Sequence, residues 1–220
     1  MGPTKIGILG TGDVGRTLGT GFIARGHDVK LGSRDAKKSE NAQAWVKENG
    51  AKAGAGTFAE AARHGEIIVL ATLWTGTKEA IDSAGPDSFA GKLVIDATNP
   101  IDFSGGGPKL AVGLNDSGGE TVQRWLPKAH VVKCFNIVGH GLMVDPKIAG
   151  GPPDMWIAGN DEGAKKKVAE ILRDFGWGPP LDTGGIEGSR LLEPMCILWV
   201  NYGVRTGKWG GHAFKLLRVE

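Results

Sequence analysis

The chain reads as an α/β protein: a doubly wound, mostly parallel sheet with a small C-terminal helical extension. Three observations carry that expectation. Short, continuously apolar runs such as EIIVLAT (66–72) and KLVIDATNP (92–100) have the pattern of strands buried on both faces. Helical periods fall between such runs from one end of the chain to the other. Glycine, 37 of 220 residues, is scattered as single and paired punctuation, which marks frequent tight turns and close backbone approaches.

The elements follow in order. KIGILG (5–10) is a buried strand, and DVGRTLGTGFIARG (13–26) has the helical spacing Val14, Leu18, Phe22, Ile23, with Gly26 as its stop. DVKLGS (28–33) is a second strand, followed by a polar-faced helix over 35–50 ending at Gly50. A short helix over 57–65 starts at Thr57, with Glu60 completing a capping box. The two apolar runs above come next. Then come an irregular, glycine-rich loop over 101–118, a helix over 120–127 and a strand over 130–136. DMWIAG (154–159) is a strand, and a helix over 161–176 runs from an Asp161 cap to Gly176. The last helix spans 187–207 and is expected to kink or restart near Pro194.

Bulk properties narrow the function. A net charge of +2 leaves no electrostatic footprint for nucleic acid. No stretch reaches the length of a membrane span. The opening MGPTKIGILG lacks the apolar core of a signal peptide, and two cysteines make no disulfide framework, so a cytoplasmic protein is expected. Cys134 and Cys196 have no zinc-ligand spacing, the five histidines are dispersed, and no catalytic triad or metal cluster stands out.

The chemistry begins at GILGTGDVG. Gly10, Gly12 and Gly15 have the G-x-G-x-x-G spacing, after a strand and at the start of a helix. In that context Gly10 makes the turn, Gly12 lets a pyrophosphate reach the backbone, and Gly15 lets helix and strand pack. With Thr11, Asp13 and Val14 they form a phosphate turn at a helix N-terminus, where free N–H groups attract anions. This is the mark of a Rossmann-like dinucleotide domain.

About twenty residues on, such a domain places an acid when it binds the ribose of NAD. This chain has Gly32, Ser33 and Arg34, with Lys38 four residues further. The change removes a charge that would repel the 2′-phosphate of NADP and adds a hydroxyl donor and a guanidinium fork. The site reads as built for NADP. Further strand ends bring ATLWTGT, with Thr72, Leu73 and Trp74, and ATNP, with Asn99 and Pro100. A third, KCFNIVGHG, brings Asn136, Val138 and His140 toward the nicotinamide face. Trp74, Leu73 and Val138 also admit a plain packing role, and Asn99 a turn cap. Hydride transfer between two bound cofactors needs proximity and ring stacking more than an acid–base pair, which fits a site with no assigned catalytic residue.

On these residues the chain resembles the F420-dependent NADP oxidoreductase family. The likeness is carried by GILGTGDVG, LGSRDAKK, LATLWTGT, VVKCFNIVG and PLDTGGIEGSRLLEP. It implies a Rossmann-like domain that passes hydride between NADP and the deazaflavin coenzyme F420. It maps the phosphate turn onto residues 10–15, the 2′-phosphate group onto Ser33, Arg34 and Lys38, and the nicotinamide side onto Thr72, Leu73, Trp74, Asn136 and Val138. The same domain type is the NADPH-binding part of transmembrane metalloreductases, which use a flavin. Leu73 and Asn136 stand where archaeal-type members carry proline and histidine, which places the departures on the acceptor side. Two other readings remain open: an NADPH-dependent reductase of a small organic substrate, and a non-catalytic NADP-binding sensor. The expected division is an NADP-binding domain over 1–180 and a helical segment over 181–220. That segment completes the acceptor pocket and, through the apolar LLEPMCILWVNYG, forms a homodimer face.

Overall fold

The computed structural model describes residues 2–35 and 39–217. In chain order the first half contains β1 (Lys5–Leu9), α1 (Asp13–Ala24), β2 (Asp28–Ser33), α2 (Glu40–Asn49), β3 (Ala53–Thr57), α3 (Phe58–His64), β4 (Ile67–Leu70), α4 (Trp74–Ala84) and β5 (Leu93–Asp96). The second half contains β6 (Ile101–Asp102), β7 (Lys109–Leu110), α5 (Gly118–Trp125), β8 (His130–Lys133), β9 (Trp156–Gly159), α6 (Glu162–Asp174), β10 (Leu181–Asp182) and α7 (Ser189–Thr206). Eight strands form one sheet in the order β3-β2-β1-β4-β5-β8-β9-β10. Every neighbouring pair is parallel except β8 with β9, where the chain reverses. The order turns from one direction to the other between β1 and β4, and ligands bind at such a switch point, outside the carboxyl ends of the strands.

The core follows from the apolar runs. Ile6, Ile8, Ile68, Val69, Val94, Ile95 and Val132 are fully buried within the sheet. One layer of packing covers one face with α1, whose Leu18 and Phe22 join the larger cluster, and with α6, which contributes Val168, Ile171 and Leu172. Ala61 of α3, Ile81 of α4 and Val122 of α5 belong to a second cluster together with Leu9, Ile68, Leu70 and Val94.

Several elements differ from the sequence reading. The helix expected over 35–50 begins only at Glu40, where Ser39 caps it by accepting from the Ala42 N–H. Arg34 therefore lies outside that helix. The strand β3 went unread because AGAGT is nearly all alanine and glycine, which are depleted in strands. It exists because all five of its residues pair with Val29–Ser33 of β2. Helix α4 has no counterpart in the sequence reading, since Thr75, Gly76 and Thr77 blur its period. The strand over 130–136 stops at Lys133, and Phe135 turns the chain with φ +65°. The last helix runs on through Pro194 as one helix. The loop after β5 closes on itself as the small antiparallel ladder β6–β7.

Candidate dinucleotide site

A cleft of about 720 Å³ opens at the carboxyl ends of the strands. Its floor is the turn from β1 to α1: Gly10, Thr11, Gly12, Asp13 and Val14. Gly10 has φ +128°, and a Cβ there would sit 2.3 Å from the Ala71 carbonyl oxygen, so only glycine fits. A Cβ on Gly15 would sit 2.4 Å from the Gly10 carbonyl oxygen, which is how closely α1 approaches β1. Gly12 is different. A Cβ there would meet no protein atom within 4 Å. The bare backbone at Gly12 faces open space, and no side chain caps the N-terminus of α1 that starts beside it. A cradle of this kind accepts an anion. Asp13, in the first turn, is tied to Arg16 at 2.6 Å.

One wall of the cleft comes from β2 and the elements beside it. Arg34 lines it with Asn41 and Phe58. Gly32 is needed there for packing: a Cβ would press to 2.8 Å on the Ala61 side chain and 3.2 Å on the Phe58 backbone. The Ser33 hydroxyl oxygen is buried and has no hydrogen-bond partner among the described residues. The Arg34 side chain is 78% exposed, with its guanidinium 4.0 Å from the Glu79 carboxylate. A guanidinium on the cleft wall can take a phosphate, whereas Ser33 is not among the residues that line the cleft. Lys38, read as a third member, lies outside the described residues. Ser39 donates from its hydroxyl to Thr11 at 3.3 Å and so joins the start of α2 to the phosphate turn.

The opposite wall is β4 and α4. Ala71, Thr72, Leu73, Thr75, Gly76 and Glu79 line it. The Thr72 and Thr77 hydroxyls are 2.9 Å apart, and Thr77 donates to the Leu73 carbonyl, which fixes the turn. Leu73 is 84% exposed at the mouth. Trp74 is not in the cleft. It stacks on Trp125 with ring centroids 5.5 Å apart. Ala97 and His140 close the side beyond β5, and the His140 Nδ1 lies 3.4 Å from the Thr17 hydroxyl.

The remaining residues read from the strand ends are engaged with one another. Asn99 donates to the Asn136 carbonyl at 2.8 Å, and the Asn136 amide donates to the Asn99 side-chain oxygen at 3.0 Å. Pro100 is buried and packs 3.1 Å from where a Gly118 Cβ would stand. Asn136 and Val138 are 3% and 7% exposed, and Val138 is part of the core. Neither is among the residues that line the cleft. Only His140 of that stretch reaches it.

The sequence reading missed a buried charge network next to this region. Lys133 at the end of β8 contacts Asp96 at 2.6 Å and Glu193 of α7 at 2.9 Å, and all three are 0–1% exposed. Asp96 also accepts from the Thr98 N–H and hydroxyl, and Glu193 from the N–H groups of Gly118 and Gly119 that start α5. Burial alone would push the Lys133 ammonium down, but the two carboxylates outweigh it and hold it above its ordinary range. Each charge was visible in the sequence, but nothing in the spacing 96, 133, 193 joins them. Both thiols are free and buried. Burial pushes Cys134 up and Cys196 up to about 12, so neither is a nucleophile. Among the described residues no group of His, Cys, Asp or Glu could hold a metal, and no helix is long and apolar enough to cross a membrane.

A parallel sheet with the phosphate turn at its switch point, and a cation where an acid would hold a ribose, defines a dinucleotide-binding protein of the Rossmann class. Comparison with known proteins gives the particular family. The sequence family described as NADP oxidoreductase, coenzyme F420-dependent, matches residues 5–100. The F420-dependent NADP reductase of Methanothermobacter marburgensis is 31% identical over 92% of this chain and 93% of its own length. A crystal structure from Arthrobacter sp. FB24, assigned as an F420-dependent NADP reductase, superposes with TM-score 0.92. It is 36% identical and covers 98% of this chain and 100% of its own. Metalloreductase STEAP3 of Rattus norvegicus is 30% identical over 88% of this chain, which spans 36% of that protein. The chain belongs to the F420-dependent NADP oxidoreductase family.

Proposed function

We propose that this chain is an NADP-dependent oxidoreductase that transfers hydride between NADP(H) and coenzyme F420. The observation that carries the reading is the pairing of the bare backbone at Gly12 with Ser33 and Arg34 where an acid would select NAD. The F420-dependent reductases that resemble the chain along nearly its whole length supply the second ligand.

In this reading the backbone at Thr11–Val14 and the start of α1 hold the pyrophosphate, and Ser33 and Arg34 hold the 2′-phosphate. Bound NADP supplies the hydride chemistry at its nicotinamide. Thr72, Leu73, Ala97 and His140 also line the cleft, and the nicotinamide ring is assigned to them. The Asn99–Asn136 pair acts from behind, by fixing the two loops after β5 and β8. No side chain is assigned an acid or base role. Hydride transfer then depends on bringing two rings to near van der Waals distance, about 3–3.5 Å between reacting atoms.

The segment 181–220 completes the acceptor side and forms the face of a homodimer. Support comes from α7, where Leu191, Leu198 and Tyr202 lie at helical spacing and are 62%, 58% and 48% exposed. A reducing, cytoplasmic setting fits two thiols that are free and buried.

The test is a turnover panel of NADPH and NADH against F420, FMN and FAD. The reading expects turnover of F420 with NADPH. NADPH binding with no turnover of any acceptor would leave the sensor reading. Turnover of FMN or FAD alone would move the acceptor to a flavin.

A further inference from the structure

The wall that faces Arg34 carries an acid. Glu79 lies in the second turn of α4, lines the same cleft, and holds its carboxylate 4.0 Å from the Arg34 guanidinium. Both side chains are largely exposed, 58% for Glu79 and 78% for Arg34. The two come from opposite sides of the switch point: Arg34 follows β2, Glu79 follows β4, and β1 lies between those strands. The pair thus spans the cleft from wall to wall.

A carboxylate in the wall of an anion site needs a reason. Neither side chain is buried, so neither is there to fill space. An exposed pair at this separation is weak, and a phosphate dianion competes for the same guanidinium with twice the charge and a better fork geometry. Once the guanidinium has turned to phosphate, Glu79 is left as a like charge on the facing wall. That repulsion acts on a 2′-phosphorylated dinucleotide and is absent for one with a plain 2′-hydroxyl.

We infer that Glu79 is a specificity-tuning counter-charge: it holds Arg34 across the free cleft and, by opposing the 2′-phosphate, limits how tightly and how long NADP(H) is retained. The inference rests on the assignment of Arg34 to the 2′-phosphate. It adds a residue from α4 that weakens, rather than makes, the cofactor's contacts. A reductase that must exchange its dinucleotide on every cycle gains from that weakening through faster release.

The experiment measures dissociation constants and dissociation rates of NADPH and NADH for the full chain, Glu79→Gln and Glu79→Lys, at low and high salt. Glu79→Gln is expected to tighten NADPH by about two- to five-fold, the scale of one exposed charge contact. Slower release should carry most of the gain, and Glu79→Lys should go further in the same direction. The gain should shrink in high salt, and NADH should not change. Circular dichroism checks that the exposed helical site tolerates both variants. Unchanged NADPH affinity in both variants overturns the inference, and so does an equal loss for NADPH and NADH, which would make Glu79 a direct contact to the adenosine. A wild type that prefers NADH overturns the phosphate assignment beneath it. A wild type that prefers NADPH while Glu79→Gln changes nothing overturns the role of Glu79 alone.

Discussion

The two sides of the sheet use polar groups in opposite ways. On the β1–β2 side they are left available. Gly12 faces open space, the buried Ser33 hydroxyl is unpartnered among the described residues, and Arg34 is 78% exposed with its guanidinium 4.0 Å from Glu79. On the β5–β8 side they are consumed internally. Lys133 is locked between Asp96 and Glu193, and Asn99 is locked to Asn136. Buried ion pairs do little for net stability but are costly to break, because the partners left behind cannot be solvated. One side is thus organised around a ligand, and the other around its own rigidity, with α7 fastened to the sheet through Glu193. Substitutions on the two sides should separate binding from stability.

Gly12→Val is the sharpest cut on the ligand side. Its Cβ would meet no protein atom within 4 Å, and its branches would enter the space proposed for the pyrophosphate. NADPH binding by calorimetry should fall below detection, while denaturant unfolding shifts by no more than about 1 kcal/mol from a poorer helix cap. Wild-type NADPH affinity in this variant would make the glycine turn purely structural.

Lys133→Ala is the mirror image. It strands two buried carboxylates, and stability should drop by about 3–5 kcal/mol in urea. Whatever fraction stays folded should still bind NADPH, since Lys133 does not line the cleft. A loss below about 1 kcal/mol would mean that the carboxylates find other partners or protons.

Arg34→Ala should weaken NADPH by about 1.5–3 kcal/mol, the range for a hydrogen bond to a charged group, and leave NADH nearly untouched. Equal losses for both cofactors would remove the guanidinium from the 2′-phosphate. The smallest effect lies at the amino ends of β1 and β2, at the opposite end of those strands from the cleft. His27 is 2% exposed, and its Nδ1 accepts from the Thr4 N–H at 3.2 Å. Burial first, and the nearby N-terminal charge second, hold its pKa below the ordinary value of 6.5. The unfolded chain then binds the extra proton more readily, so this contribution is fully present above about pH 6.5 and is lost as the pH falls through it. His27→Gln should flatten that part of the pH–stability curve; an unchanged slope between pH 7 and 5 would discount the histidine.

The difference between the two sides also decides what the sequence could reveal. The glycine turn and the Ser33–Arg34 pair are local, a few residues apart and next to a strand, so spacing alone singles them out as candidates. The fold was legible for the same reason: buried parallel strands such as β4 and β5 are continuous apolar runs. What stayed hidden depends on distant partners. Strand β3 is held by pairing with β2, against its own composition. Asp96, Lys133 and Glu193 meet only after the chain has crossed the sheet and returned through α7. Trp74 and Val138 sat at the right strand ends, but neighbours elsewhere, Trp125 and the core, settle where their side chains go. Glu79 was missed because α4 itself was unread, and with it the helical spacing that sets Thr75, Gly76 and Glu79 on the cleft.

The most direct measurement is the fate of the transferred hydrogen. NADPH carrying deuterium at nicotinamide C4 is mixed anaerobically with the protein and oxidised F420 in a single turnover, and the reduced deazaflavin is examined by mass spectrometry. Direct transfer between two rings held in one cleft predicts deuterium bound to carbon in the reduced F420, one per NADPH consumed, with NADH far slower. Reduced F420 that carries only solvent hydrogen, or NADPH that binds and is never oxidised, would contradict the account.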